Sequence, residues 1–248
     1  MLGCYAYMRL LTLLVHLLYP PACLICRTRV TAPAPAALLC ARCLQQARRC
    51  APPLCARCGL PLAGAYDAAL ACRPCRQHPP AFDAAWAPWQ YTGAIRAGLK
   101  QLKYHHRHRL GAWFAEDMAR TARAIGLGAD LVVPVPLHWL KSRLRGTHTP
   151  AALAHRVARQ LQLPYAPRAL RRVRWTATQT QLTRRQRQRN VAGAFQAQAA
   201  LVRHRRILLI DDVLTSTATV QACSLALRHA GAAAVTVLAA ARTPASHP

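Results

Sequence analysis

The sequence predicts an α/β protein built on a central parallel sheet, preceded by a small cysteine-rich module. Three observations carry that expectation. Ile207-Leu208-Leu209-Ile210 is a run of four apolar residues, two of them β-branched, as in a strand buried on both faces of a parallel sheet. A second run, Leu131-Val132-Val133, leads into Pro134-Val135-Pro136, a rigid stop. Ahead of both, residues 23 to 75 hold four Cys-x-x-Cys pairs.

Length and composition bound the rest. The 248 residues allow one large domain, or one medium and one small. Hydrophobic content of 53% is ample for a core, although much of it is alanine. Arginine and lysine number 34 against seven acids, for a formal net charge of +27. The lysines are Lys100, Lys103 and Lys141 alone, so the arginine excess follows GC-rich coding; the shortage of acids does not. Such a charge opposes compaction unless anions are near, and a polyanionic partner is its simplest use, with affinity falling steeply with salt. Incidental charge is the alternative.

Met1–Tyr19 is apolar with Arg9 and His16 inside it. It lacks the positive start and small-residue cleavage site of a secretory signal, and it is marginal for a membrane span. It reads as an amino-terminal helix over 1–19 that packs on the next module, with peripheral membrane contact as the lesser alternative. No other stretch is apolar enough to cross a bilayer, so a soluble, cytoplasmic protein is expected.

Residues 20–78 form the cysteine module. Its pairs are Cys23/Cys26, Cys40/Cys43, Cys55/Cys58 and Cys72/Cys75, and the spacing repeats after 32 residues. Each Cys-x-x-Cys knuckle offers two thiolates to one ion, and two knuckles complete a tetrahedral Cys4 zinc site. Two structural zinc ions are expected, paired most simply in sequence order, with a crossed pairing open. Few large apolar residues lie here, so metal binding must supply much of the folding free energy. Disulfides are the other use of such cysteines, and a reducing cytosol disfavours them. Cys4, Cys50 and Cys223 are left over.

The remaining elements, over 79–248, follow in order. Pro79-Pro80 marks a linker, and Phe82 to Tyr91 is aromatic and strand-like. Gly93–Lys103 has helical spacing, followed by a basic patch at His105–Arg109. Trp113–Ile125 is an amphipathic helix, Asp130–Pro134 a strand, and Ala151–Leu161 a helix. Arg168–Arg174 is a basic strand or arm, and Ala234–Ala241 a last short strand.

The most informative stretch is Arg206 to Thr219. A buried strand runs into Asp211-Asp212, then a loop of small hydroxyl residues, then a helix marked by Val220, Cys223, Leu227 and Ala230. A helix start presents unpaired backbone N–H groups at the positive end of its dipole, where a phosphate fits. Thr215, Ser216 and Thr219 add hydroxyl donors. Carboxylates repel phosphate, so Asp211 and Asp212 should face donors such as sugar hydroxyls. Phosphate beside a diol describes a ribose 5-phosphate.

On these residues the chain resembles the ComF family of competence-associated proteins, and the loop resembles the phosphoribosyl-pyrophosphate (PRPP) motif of type I phosphoribosyltransferases. The Leu102-Lys103-Tyr104 triplet, the Pro134-Val135-Pro136-Leu137-His138 turn, the spacing of Thr176, Gln179, Leu182, Arg187 and Asn190, and the paired cysteines are similar to that family's. The resemblance covers about residues 20 to 242. It implies a type I phosphoribosyltransferase-like fold behind a double zinc ribbon. It further implies that Asp211, Asp212 and Lys103 serve the reacting centre. Thr215, Ser216, Thr217, Ala218 and Thr219 would hold the 5-phosphate, and Pro136, His138 and Arg145 the pyrophosphate with its Mg²⁺. Gln179, Arg187 and Asn190 would lie on a lid that excludes water. Two departures stand out. Thr217 takes a place where a glycine is expected, which should reshape the loop or narrow its pocket. Arg145-Gly146 is followed by Thr147, His148 and Thr149 rather than an aromatic residue, Asn and Gln.

Two functions follow from the resemblance. One is a glycosyl transferase acting on Mg²⁺-PRPP. The other is a non-enzymatic single-stranded-DNA-binding or DNA-processing factor on a vestigial phosphoribosyltransferase scaffold, working with DNA-uptake proteins.

Overall fold

The computed structural model describes residues 21–30, 38–62, 70–104, 108–137, 149–174 and 193–244. The expected helix over 1–19 lies outside them. The described elements are α1 (Ala41–Gln46), α2 (Arg73–Gln77), β1 (Ala84–Trp86), β2 (Trp89–Gln90), α3 (Gly93–Tyr104), α4 (His108–Ala124), β3 (Leu131–Pro134), α5 (Thr149–Leu161), β4 (Leu170–Arg172), β5 (Phe195–Ala197), α6 (Ala199–Val202), β6 (Arg206–Leu214), α7 (Ala218–His229) and β7 (Ala234–Arg242).

The central sheet is parallel in the order β1-β7-β6-β3, with β2 also on β7. Its register is pinned at the start of β6. Asp130 accepts the backbone N–H of Arg206 at 2.8 Å and pairs with its guanidinium at 2.7 Å. The Arg206 side chain and then its amide hold the Asp130 carboxyl down to about 2. β4 and β5 form a separate antiparallel ribbon lying against α7.

Two cores flank the sheet. On one face Val133, Ile207, Leu209, Val235 and Val237 pack with Val220, Cys223 and Leu227 of α7. On the other, Val132, Leu208, Ile210 and Leu238 pack with Ile95, Leu99, Phe114, Met118, Leu153 and Val157 from α3, α4 and α5. Alternate residues of β6 thus serve opposite cores, which is why the segment reads as a continuous apolar run. Each fully buried Leu or Ile contributes roughly 1.5–3 kcal/mol. Helix α4 begins at His108, before the expected Trp113. Leu110 and Phe114, one turn apart and both buried, extend its apolar face into the basic patch.

Among the described residues, the cysteine module has no core of its own. Cys55, Cys58 and Cys72 belong to the first cluster, and Cys23, Ile25, Leu39 and Cys43 to the second. The two ribbons therefore straddle the β1/β2 edge, one on each face, and cover it. The Ala85 N–H bonds the Arg57 carbonyl at 2.8 Å, and the Gln90 N–H bonds that of Arg48 at 2.8 Å. A sheet edge left open would invite pairing with other chains. Gly59 has φ +63°, and a Cβ there would come within 2.3 Å of the Ala85 oxygen, so only glycine lets the second ribbon sit this close.

Between the ribbons, Arg49 lies 3.7 Å over the Trp89 ring and reaches Asp117 of α4 at 3.3 Å. Asp117 is 4% exposed and also pairs with Arg120 at 3.1 Å. Breaking a buried pair typically costs 3–5 kcal/mol, but both arginines here are half in water. Asp117→Asn is therefore expected to lower stability by about 1–2 kcal/mol in denaturant titration.

Candidate functional site

The site forms where neighbouring strands end at different heights. The Val135 N–H donates to the Ile210 carbonyl at 2.8 Å, and the chain then leaves the sheet through buried Pro136. β6 continues for four residues beyond, from Asp211 to Leu214, with Asp211, Val213 and Leu214 paired to Ala239, Ala241 and Arg242 of β7. Sequence alone placed the acids after the strand; they lie inside it, because β7 is long enough to go on pairing. The two aspartates stand on a backbone that β3 no longer covers. Asp212 is 9% exposed, and its N–H donates to the Asp211 carboxylate at 2.8 Å. The in-out alternation slips here: Val213 packs with the second core and Leu214 with the first.

The hydroxyl loop and the start of α7 follow. Thr215 is exposed, Ser216, Thr217 and Thr219 are half-buried, and Ala218 is buried. Thr217 caps α7 with φ 59° and ψ 0°, the left-handed conformation. The expected glycine position does require positive φ, and this loop keeps that turn with a β-branched residue in it. The Thr217 hydroxyl donates to the Ser216 carbonyl at 2.7 Å instead of capping the helix. A left-handed non-glycine residue costs about 1–2 kcal/mol, part of which is offset by the looser unfolded chain of glycine. Thr217→Gly is thus expected to raise stability by about 1 kcal/mol, read from the denaturation midpoint.

Neighbouring elements hold this loop. The Thr243 N–H donates to the Leu214 carbonyl at 2.9 Å, and Arg242 Nη1 donates to the Thr215 carbonyl at 2.9 Å. Beneath it, burial pushes the Cys223 thiol of α7 well up; the Asp211 charge adds to this and Arg172 opposes it. Arg172 ends β4, where the guanidinium lies 5.4 Å from the Phe195 ring centre. β4 and β5 are the two ends of the segment expected to form the lid. Gln179, Arg187 and Asn190 on that segment fall outside the described residues, as do His138 and Arg145. Lys103 falls in the final turn of α3. The structure therefore brings together Asp211, Asp212, Thr215 to Thr219 and Pro136. Sequence reasoning missed Arg242 and Arg172; an arginine closing an Ala-Ala-Ala strand was the available signal for the first.

The cysteines fall into two sets, Cys23/Cys26/Cys40/Cys43 and Cys55/Cys58/Cys72/Cys75, with all four sulfurs of each within 4.8 Å of one another. Pairing is in sequence order, and Cys50 joins neither set. Tetrahedral zinc–thiolate bonds of about 2.3 Å put sulfurs roughly 3.8 Å apart. Cys26 and Cys40 sulfurs are 3.5 Å apart, and Cys58 and Cys72 sulfurs 3.7 Å. Cys55 accepts the N–H groups of Cys58 at 3.4 Å and Cys72 at 3.2 Å. The Thr28 hydroxyl and then its amide hold the Cys26 thiol down to about 6. These donor sets fit zinc and leave no open coordination position, so the sites are structural. No described helix is long and apolar enough to cross a membrane.

Comparison with known proteins agrees with the layout of the cysteines. A family model described as a double zinc ribbon domain matches residues 14–76. The chain is 31% identical over 210 residues to the DNA utilization protein YhgH of Salmonella typhi, spanning 83% of this chain and 89% of that protein. It is 25% identical over 182 residues to competence protein F of Haemophilus influenzae, spanning 69% and 78%. Among solved structures, glutamine phosphoribosylpyrophosphate amidotransferase from B. subtilis overlaps 53% of this chain and 26% of its own, at TM-score 0.38 and 22% identity.

Proposed function

The chain belongs to the ComF family of competence and DNA-utilization proteins, and from that premise we propose that it binds a phosphoribosyl ligand such as PRPP in the service of DNA handling. One observation carries the reading. Two aspartates stand on a strand extending past its neighbour, with only Val213 to Ser216 between them and a left-handed turn into a twelve-residue helix. Asp211 and Asp212 accept hydrogen bonds from the ribose hydroxyls. The hydroxyls of Thr215, Ser216 and Thr219, with the N–H groups of Thr217 and of the first turn of α7 from Ala218 on, hold the 5-phosphate. The Pro136 turn, His138, Arg145 and Lys103 take the pyrophosphate side, where Mg²⁺ would offset charge. Gln179, Arg187 and Asn190 close over the ligand. Transfer in such a site needs little covalent help. Charge stabilisation on the leaving pyrophosphate and positioning of the acceptor supply most of the rate.

A second reading, single-stranded DNA binding in the cytoplasm alongside uptake proteins, is favoured by the charge. Of only seven acids, Asp83, Glu116, Asp117 and Asp130 pair with arginines, against 34 basic residues in all. Both readings are tested by thermal shift. Mg²⁺-PRPP should raise the melting temperature at low and high salt alike. A short single-stranded oligonucleotide should do so only at low salt, with log affinity falling by about 0.7 per log unit of salt for each phosphate neutralised. No shift with PRPP and a salt-sensitive shift with DNA would reject the phosphoribosyl reading and leave the second.

A further inference from the structure

Arg242 is the last residue of β7, and it is 5% exposed. Its Nη1 donates to the Thr215 carbonyl at 2.9 Å, and its Nη2 reaches the Cys58 sulfur at 3.5 Å. Its Nε is buried without a hydrogen-bond partner among the described residues. Its backbone is held on both sides, opposite Leu214 of β6 and Gln90 of β2, and its carbonyl accepts the Tyr91 N–H at 2.7 Å. No carboxylate among the described residues hydrogen-bonds this guanidinium. A buried positive charge needs a compensating negative one. Four thiolates on a divalent ion carry a net double negative charge, and that set, with Cys58 in it, stands directly beside Arg242.

We propose that Arg242 is a positioning residue that ties the second Cys4 site to the 215–219 loop, so that metal in the ribbon sets the geometry of the loop. One fork of the guanidinium neutralises the metal-thiolate centre, and the other holds the peptide on which the left-handed turn begins. With the metal lost, Cys58 no longer offers a fixed thiolate, and Arg242 loses the charge that keeps it buried. The Thr215 peptide then loses its anchor. The first Cys4 site, packed on the other face, has no such link among the described residues. The consequence for ligand affinity rests on the phosphoribosyl reading; the coupling itself does not.

The test uses the zinc-loaded full chain. Cys75→Ser disables the second site without touching Arg242, and Cys40→Ser disables the first as a control. Hydrogen exchange of the 215–220 amides should accelerate in Cys75→Ser and stay near wild type in Cys40→Ser. Arg242→Met should accelerate the same amides and speed release of one of the two zinc ions to a colorimetric chelator about tenfold or more, the usual scale for losing an outer partner of a metal ligand. Arg242→Lys, which keeps the charge but not the fork, should retain zinc better than Arg242→Met while its loop still exchanges fast. Equal acceleration from the two cysteine variants, or an Arg242→Met protein (or Arg242→Lys, should the former not fold) with unchanged loop exchange, would overturn the proposal. Mg²⁺-PRPP titration of the wild type runs alongside. Its failure would remove the phosphoribosyl reading while the exchange data still decide the coupling.

Discussion

Stripping zinc with a strong chelator is expected to unfold the whole chain rather than release two ribbons from an intact α/β core. Two structural zinc ions, at about 10 kcal/mol each, together exceed a total stability of roughly 5–15 kcal/mol for ordinary proteins. The ribbons also wall both cores. Cys55, Cys58 and Cys72 lie in one buried cluster and Cys23 and Cys43 in the other. Losing both ions together exposes both flanks of the sheet that the ribbons cover, and frees the β1/β2 edge that pairs with Arg48 and Arg57. Circular dichroism during EDTA titration should show loss of helical signal in step with zinc release. A chelated protein that kept its helical signal and its melting transition would contradict this account.

Replacing the acidic pair should have the second largest effect. A hydrogen bond to a charged group contributes about 1.5–3 kcal/mol. Asp211→Asn or Asp212→Asn is therefore expected to weaken Mg²⁺-PRPP about tenfold or more, and the double variant about a hundredfold or more. Calorimetric titration reads the affinity, and the melting temperature is the control. Loss of binding with a melting temperature within a few degrees of wild type assigns the pair to the ligand. A large fall in melting temperature with affinity kept would make Asp211 and Asp212 structural.

Much of this was legible without coordinates. The Cys-x-x-Cys spacing announces its zinc sites because the ligand atoms are held by local knuckle geometry. The run at Ile207–Ile210 announces a central strand because burial on both faces leaves no polar position. The acidic pair and hydroxyl loop mark a candidate site because such residues have no packing reason to follow a buried strand. Thr217 is legible only in part. Its place in the motif marked a need for positive φ, but whether a β-branched residue would keep the turn depended on neighbours far away in sequence. Asp211 and Asp212 looked like residues after a strand because hydrophobicity stops at Ile210; they belong to it because β7 supplies backbone partners through Arg242.

Sequence by itself determined the α/β class, the two Cys4 sets as ligand types, the basic character and the order of strand, acidic pair, hydroxyl loop and helix, since each is written in local spacing or composition. Only tertiary structure decided that the ribbons share the cores instead of standing apart, that the acids ride on a strand outrunning its neighbour, and that Arg242 touches both the second ribbon and the loop. These depend on contacts between residues up to 184 positions apart, and no local pattern of residue types records which distant backbone will lie alongside.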